Sequence, residues 1–259
     1  LEPTAGRAEV LGYDTKTQAD QIRLRAGALL EHHGLYERFS AWDNLEFYGR
    51  IWRMPRRQRH ARIEELLRRL ELWDRRHESV GRWSRGMKQK LAVARALLHR
   101  PRVVFLDEPT AGLDPVAAAS LREDLATLVR QEGVTVFLTT HNLAEAEKLC
   151  HAVAVIAKGR LLAAGHPDEL RSRAGVRAEI AARGVDDAVL GALRARPEVQ
   201  AAGYQDARLT IVLRPGAELA PLISLLVEAG VRIEEVRKAS LEDVFLTLIE
   251  EEKRCSPTC

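Results

Sequence analysis

The sequence predicts an α/β domain built around a parallel sheet, followed by a small α+β domain, and three observations carry that reading. Short runs of branched apolar residues at 103–106 and 134–139 alternate with helical patterns at 116–130 and 143–149, the texture of strands buried beneath helices on both faces. Both runs close on polar residues, Asp107-Glu108 and Thr140-His141, at the strand ends where open parallel sheets gather their ligands. Beyond Gly165 the chain turns alanine-rich and polar, without a chemical motif.

Taken in order, 8–11 and 27–30 are apolar runs bounded by glycine and read as strands. Between 40 and 53 the spacing becomes helical: Ser40 is placed to cap, Asp43 follows three residues on, and Trp42, Leu45, Tyr48 and Trp52 recur on a face. Pro55 suits the first turn of a second helix, whose Ile63, Leu66, Leu67 and Leu70 form an apolar stripe among arginines. That basic surface reads either as a solvated helix face or as a contact for anionic lipid, and the glutamates around it dilute the charge in favour of the first. After the sheet region the expected order is strand 177–182, helix 186–194, strands 199–204 and 207–213, helix 219–228, strand 231–236 and helix 241–252. The first six make a βαββαβ unit of ferredoxin-like type.

Bulk composition narrows the functional classes. The chain has 259 residues and 46% hydrophobic content, enough for a substantial core divided between two domains. Its 40 basic and 37 acidic side chains nearly cancel, so nothing suggests a polyanion-binding tail. The cysteines, Cys150, Cys255 and Cys259, are odd in number and form no disulfide framework, which suits a reducing compartment. Cys255 and Cys259 could hold a metal, although a frayed terminus is the simpler reading. No window approaches the ~18 apolar residues of a membrane span. The opening Leu1-Glu2-Pro3-Thr4-Ala5-Gly6 resembles no export signal and reads as the middle of a longer sequence.

Chemistry concentrates between Ser84 and His141. Four apolar residues ending in Asp107-Glu108 make a poor strand end unless the carboxylates handle a cation and a proton; in nucleoside-triphosphate hydrolysis one acid holds Mg²⁺ and a neighbour deprotonates the attacking water. Ser84-Arg85-Gly86 opens a helical run through Leu91, Ala94, Leu97 and Leu98, so a capping hydroxyl, a glycine and the positive helix end together suit an anion. His141 terminates its strand where it can reach a phosphate and a water. Asp114, before Pro115, either caps the next helix or reaches across a subunit boundary. The 259 residues contain no Gly-x-x-x-x-Gly-Lys-Ser/Thr segment, the backbone cradle for a triphosphate.

In these segments the chain resembles the nucleotide-binding subunit of an ATP-binding-cassette (ABC) transporter. Ser84-Arg85-Gly86-Met87 falls at the family's signature motif, Leu106-Asp107-Glu108-Pro109 at its second Walker motif, Ala111-Gly112-Leu113-Asp114 at its dimer-contact loop and His141 at its switch histidine. The resemblance covers about 1–165, and 240–246, Ser-Leu-Glu-Asp-Val-Phe-Leu, is similar to the ending of the subgroup that exports drugs, antibiotics, lipids or polysaccharides. It implies a P-loop-type ABC ATPase core at 1–165, lacking its N-terminal strand and phosphate loop, with a helical subdomain at about 32–98 and an accessory domain at 166–259. It also implies ATP and Mg²⁺ as ligands. Glu108 and His141 would be catalytic; Ser84, Arg85, Gly86, Met87 and Asp114 would meet nucleotide; Asp107 and Glu31 would face the metal. The implied partners are a membrane permease, docked at His32–Arg50 through Gly34, Leu35, Tyr36 and Phe39, and a second ATPase subunit, identical or paired. The implied location is the cytoplasmic face of the cell membrane, and no nucleic acid is expected.

The departures from the family pattern are Trp83 for leucine, Arg85 for glycine, Met87 for glutamine, Glu31 at the usual glutamine, and the absent first Walker motif. Two other classes compete. An ABC-type ATPase of DNA repair or ribosomes would show a coiled-coil insertion, zinc-binding cysteines or a tandem cassette, none of which is visible. A non-catalytic regulatory partner is kept open by the missing loop.

Overall fold

The computed structural model describes residues 2–30, 32–173, 177–214, 217–238 and 240–255. The chain divides into two compact units, Leu1–His141 and Asn142–Cys259.

The first unit begins with a short hairpin, β1 (Glu9–Val10) and β2 (Tyr13–Asp14), then α1 (Ala19–Arg23), β3 (Ala26–Leu29), α2 (Ala41–Ile51), α3 (Arg56–Arg69), α4 (Arg85–Leu97), β4 (Val103–Asp107), α5 (Pro115–Glu132) and β5 (Thr135–Thr139). Strands β3, β4 and β5 form a parallel sheet in that order, with Leu29, Leu106 and Leu138 in one row and Asp107 opposite Thr139. Parallel alignment places the carboxyl ends of β4 and β5 side by side. Helix α4 lies so close to β3 that a Cβ on Gly27 would come within 2.2 Å of the Ala96 carbonyl oxygen, so glycine is required there by backbone contact alone.

One apolar core joins the helical lobe to the sheet. Leu29, Leu45, Ile63, Leu66, Leu91, Leu106 and Leu121 all belong to it and are essentially inaccessible. Ser40 caps α2 by accepting the Asp43 N–H at 3.0 Å, as its spacing predicts. Arg59 and Arg62 then weld the lobe internally. Arg59 grips both oxygens of Glu46 at 2.6 Å and donates to the Met54 carbonyl at 2.6 Å. Arg62, 2% exposed, takes Glu132 at 2.8 and 3.0 Å and the Leu97 carbonyl at 2.9 Å. Buried guanidiniums persist because each is paired and hydrogen-bonded.

Helices on both faces of the sheet are expected from the sequence, but among the described residues of this unit α4 and α5 pack on one face. On the other, the Phe105 and Phe137 rings meet at a tilt of 50° with centroids 5.7 Å apart, and Phe137 is 58% exposed. Strand β5 therefore alternates exposed and half-buried positions instead of lying buried on both sides.

The second unit comprises α6 (Leu143–Leu149), a hairpin of β6 (Val153–Ala157) and β7 (Arg160–Gly165), α7 (Pro167–Arg173), β8 (Arg177–Arg183), α8 (Asp187–Arg194), β9 (Val199–Gln205), β10 (Arg208–Leu213), α9 (Ala220–Glu228), β11 (Arg232–Lys238) and α10 (Leu241–Cys255). Strands β8 to β11 pair antiparallel in the order β11-β8-β10-β9. With α8 and α9 as crossovers this is the ferredoxin-like βαββαβ unit the sequence predicts. Its core gathers Ile180, Leu193, Leu209, Ile211, Leu222 and Leu226, while Ala146, Leu170, Leu241 and Val244 form a separate cluster under α6, α7 and α10. The strand expected at 8–11 is found as β1, but its pairing with β2, the β6–β7 hairpin and the short helices α1 and α7 were not foreseen, since so few residues give hydrophobic periodicity little to act on.

Candidate functional site

The acidic strand end and the histidine strand end form one lashed assembly. Glu108 adopts a left-handed backbone, φ 47°, a conformation that costs a non-glycine residue energy and concentrates at functional sites. The bend lets its N–H donate to the Thr139 carbonyl at 3.0 Å while its carboxylate turns toward the end of β5. There Glu108 Oε1 accepts the His141 N–H at 2.9 Å and lies 2.8 Å from His141 Nδ1. Thr139, level with Asp107 in the sheet, donates its hydroxyl to Asp107 Oδ1. The structure thus brings Asp107, Glu108 and His141 together, and Thr139 is the member that sequence reasoning missed. Its position two residues before His141, opposite the acidic strand end in a parallel pair, was the available signal.

These groups face outward. Asp107 is exposed, Glu108 half-exposed and the His141 side chain 81% accessible, so their chemistry is directed at something other than the chain's own core. Among the described residues no group of three or more His, Cys, Asp or Glu side chains makes a metal cage. A lone strand-end carboxylate held by one hydroxyl fits Mg²⁺, which retains waters and phosphate oxygens in its shell. Glu31, the second residue expected at the metal, lies outside the described residues.

A second assembly forms at the start of α4. Ser84 adopts extended backbone and caps the helix, accepting the Met87 N–H at 3.3 Å. Met87 packs against the core with its sulfur 3.8 Å from Arg75 Nη1. Trp83, the substitute for leucine, is 6% exposed and belongs to the core. The Arg85 guanidinium lies flat against Gly112: a Cβ there would come within 2.4 to 2.8 Å of its three terminal atoms, and Gly112 itself has φ 69°. Gly86 approaches Ala117, leaving only 3.2 Å for a Cβ. Asp114 caps α5 by accepting from Val116 at 3.0 Å and Ala117 at 2.9 Å. Within one chain, then, the Ser84 turn and the Ala111–Asp114 loop are fitted to each other.

Cations surround that turn. His33 stands near Arg85, Lys88 and Arg95, and its imidazole is pushed below its ordinary value by burial first and by those charges second. Glu37 is held below the usual carboxylate range by its hydrogen bond to Lys88.

The family model described as ABC transporter matches residues 1–111. Daunorubicin resistance ATP-binding protein DrrA3 of Streptomyces coeruleorubidus is 38% identical to this chain, over 98% of the chain and 81% of that protein. The chain is an ABC transporter ATP-binding subunit by family. Bacitracin transport ATP-binding protein BcrA of Bacillus licheniformis is 31% identical over 96% of the chain and 81% of its own length. A solved ATP-binding subunit of an ABC transporter superposes with a TM-score of 0.58 at 29% identity, covering 67% of this chain and 72% of that one. In this ABC ATP-binding subunit the strand-end acids lie beside His141, and the Ser84 turn packs its Arg85 side chain against Gly112. Among the described residues, no helix of this ABC subunit is long and apolar enough to cross a membrane.

Proposed function

We propose that this chain powers an exporter of the drug or antibiotic class by ATP hydrolysis at the cytoplasmic face of the cell membrane. The observation that carries the reading is the Glu108 carboxylate, lashed to His141 and to β5 at the end of a parallel sheet, directly beside Asp107. Bound Mg²⁺ supplies charge neutralisation at the phosphates, and Asp107 is the residue that would hold it. Glu108 takes the proton of the attacking water, and its bond to His141 fixes where that carboxylate points. His141 orients toward the phosphate, while Ser84 and Gly86 present a capped helix start to nucleotide bound on a second subunit. The names of DrrA3 and BcrA support the cargo class, as does the 240–246 segment.

The permease docks on the ring cluster of the helical lobe. Tyr36 and Phe39 are 45% and 42% exposed, and their rings meet at a tilt with centroids 5.3 Å apart. Leu35 instead packs against the core, and Gly34 serves the turn with φ 62°. Tyr36→Asp removes recruitment to permease-bearing membranes while leaving the fold intact; unchanged recruitment rejects this docking surface.

Nucleotide titration with phosphate release tests the catalytic reading. Residues 1–259 contain no backbone cradle for the triphosphate, so alone they bind ATP weakly and release no phosphate. Assembled with permease and a subunit bearing a phosphate loop, they support turnover that Ser84→Arg abolishes. Full activity of residues 1–259 alone overturns the arrangement, and an assembly that binds ATP without hydrolysing it favours a regulatory subunit.

A further inference from the structure

We propose that the turn between α2 and α3 is a membrane contact, in which Arg53, Arg56 and Arg57, with Ile51 beside them, engage the headgroups of anionic phospholipids. By sequence alone the glutamates of this helix pair neutralise its arginines. In the structure those glutamates are committed elsewhere: Glu46 to Arg59 at 2.6 Å and Arg50 at 3.0 Å, Glu64 to Arg68 at 2.9 Å, Glu65 to Arg69 at 2.6 Å and to Arg100 at 2.9 Å. Arg53, Arg56 and Arg57 are exposed, and among the described residues their side chains have neither an ion pair nor a hydrogen bond.

The turn that carries them is held rigidly. Arg53 sits at φ 52°, its N–H bonded to the Arg50 carbonyl at 2.8 Å, and the Met54 N–H reaches the Gly49 carbonyl at 3.0 Å. Arg59 clamps the Met54 carbonyl from beneath. Helix α3 has no acid in its first turn and no side-chain cap, so its positive end adds to the same charge. Apolar surface continues from the cations: Ile51 is 57% exposed and Phe47, one turn earlier on the same helix face, is 36% exposed. Unpaired cations bordering an exposed apolar stripe are the pattern of interfacial helices on anionic bilayers.

Each arginine near an anionic surface strengthens partitioning about 5-fold, so losing all three lowers it on the order of 100-fold. The test is co-sedimentation of the chain with vesicles of phosphatidylglycerol and phosphatidylcholine in equal parts, against phosphatidylcholine alone. Binding is expected only to the anionic vesicles at about 0.15 M salt and to vanish at about 1 M, where screening shortens to about 3 Å. R53Q/R56Q/R57Q abolishes it with an unchanged melting temperature, whereas an equal charge loss in the second unit, R183Q/R208Q/R232Q, leaves it as before. Equal binding to both vesicle types, or parental binding by the first triple variant, overturns the proposal. So does arginine-dependent binding that appears only with permease in neutral vesicles, which assigns the patch to an acidic protein segment. No nucleotide or permease enters the vesicle assay, so its failure leaves the ATPase reading untouched.

Discussion

The helical lobe and the sheet edge that carries Asp107, Glu108 and His141 belong to one unit but are secured in opposite ways. In the lobe, Leu45, Ile63, Leu66 and Leu67 are sealed from solvent and the polar ties are buried, with Arg59 and the two terminal nitrogens of Arg62 held by the chain's own carboxylates and carbonyls. At the sheet edge short hydrogen bonds fix geometry, yet the side chains remain accessible and Phe137 stands 58% exposed nearby. A region whose groups are consumed internally contributes stability, while one that is oriented but not enclosed leaves its chemistry for a ligand. Substitutions should therefore separate: rate lost at the sheet edge, stability lost in the lobe.

The largest expected effect is at the sheet edge. Glu108→Gln removes the proton acceptor but keeps an oxygen to accept the His141 N–H, so phosphate release by the assembled transporter falls about 10²–10⁴-fold with no change in the chain's thermal midpoint. A parental rate rejects Glu108 as the base. A lowered midpoint would instead place Glu108 among the structural residues and erase the contrast.

In the lobe the next effect runs the other way. Arg59→Ala leaves the enclosed Glu46 carboxylate without its bidentate partner, and breaking such a pair from one side costs about 3–5 kcal/mol. Urea midpoints at neutral pH measure it, and a loss below about 1 kcal/mol would show the clamp to be ornamental. Acid adds a signature. Glu46 is held near 2, chiefly by the Arg59 hydrogen bonds, below its unfolded 4.5, so its contribution is complete at neutral pH and drains as pH falls from 4.5 toward 2. His99, stacked on Trp52 at 3.7 Å, is pushed down to about 4 by burial. Its neutral ring contributes fully above 6.5 and loses that contribution as pH falls toward 4. Urea midpoints followed against pH should decline in both windows in the parent, and only in the upper one in Arg59→Ala.

A steric probe of the same clamp ranks lower. A Cβ on Gly49 would meet Arg59 Cδ at 2.3 Å and Cγ at 2.6 Å, so Gly49→Ala forces the guanidinium from its seat and costs about 1–3 kcal/mol. If the midpoint stays put, the lobe is looser than its packing implies.

The contrast also explains what the sequence disclosed. Ser40 and Asp43, the stripe Ile63-Leu66-Leu67, the strand 103–106 and the βαββαβ order were readable because capping and periodicity act over a few residues. The candidate acids and His141 were readable because polar residues closing apolar strands have few other uses. Thr139 was missed because its role exists only once β4 and β5 lie in register. The Arg85–Gly112 contact was hidden for the same reason, since nothing local links positions 27 residues apart. Which arginines lack partners was likewise invisible: glutamate spacing gives candidates for pairing but not the choice of Arg59 over Arg53 or Arg56.

Asp114 tests the comparison at its finest, because it is exposed at the start of α5 and yet does structural work. Its carboxylate accepts two N–H groups at the start of α5, an N-cap that Asp114→Ala removes at about 1 kcal/mol. Asp114→Ser retains a capping acceptor with a shorter, uncharged side chain. If Asp114 only caps, serine restores the thermal midpoint and both variants hydrolyse ATP at the parental rate in the assembled transporter. If Asp114 also reaches a second subunit, serine restores the midpoint but not the rate, because the cap needs an oxygen while the contact needs its charge and length. The pair of measurements thus decides between the two readings the turn before Pro115 leaves open, and it does so where the stability effect is small enough not to mask the rate.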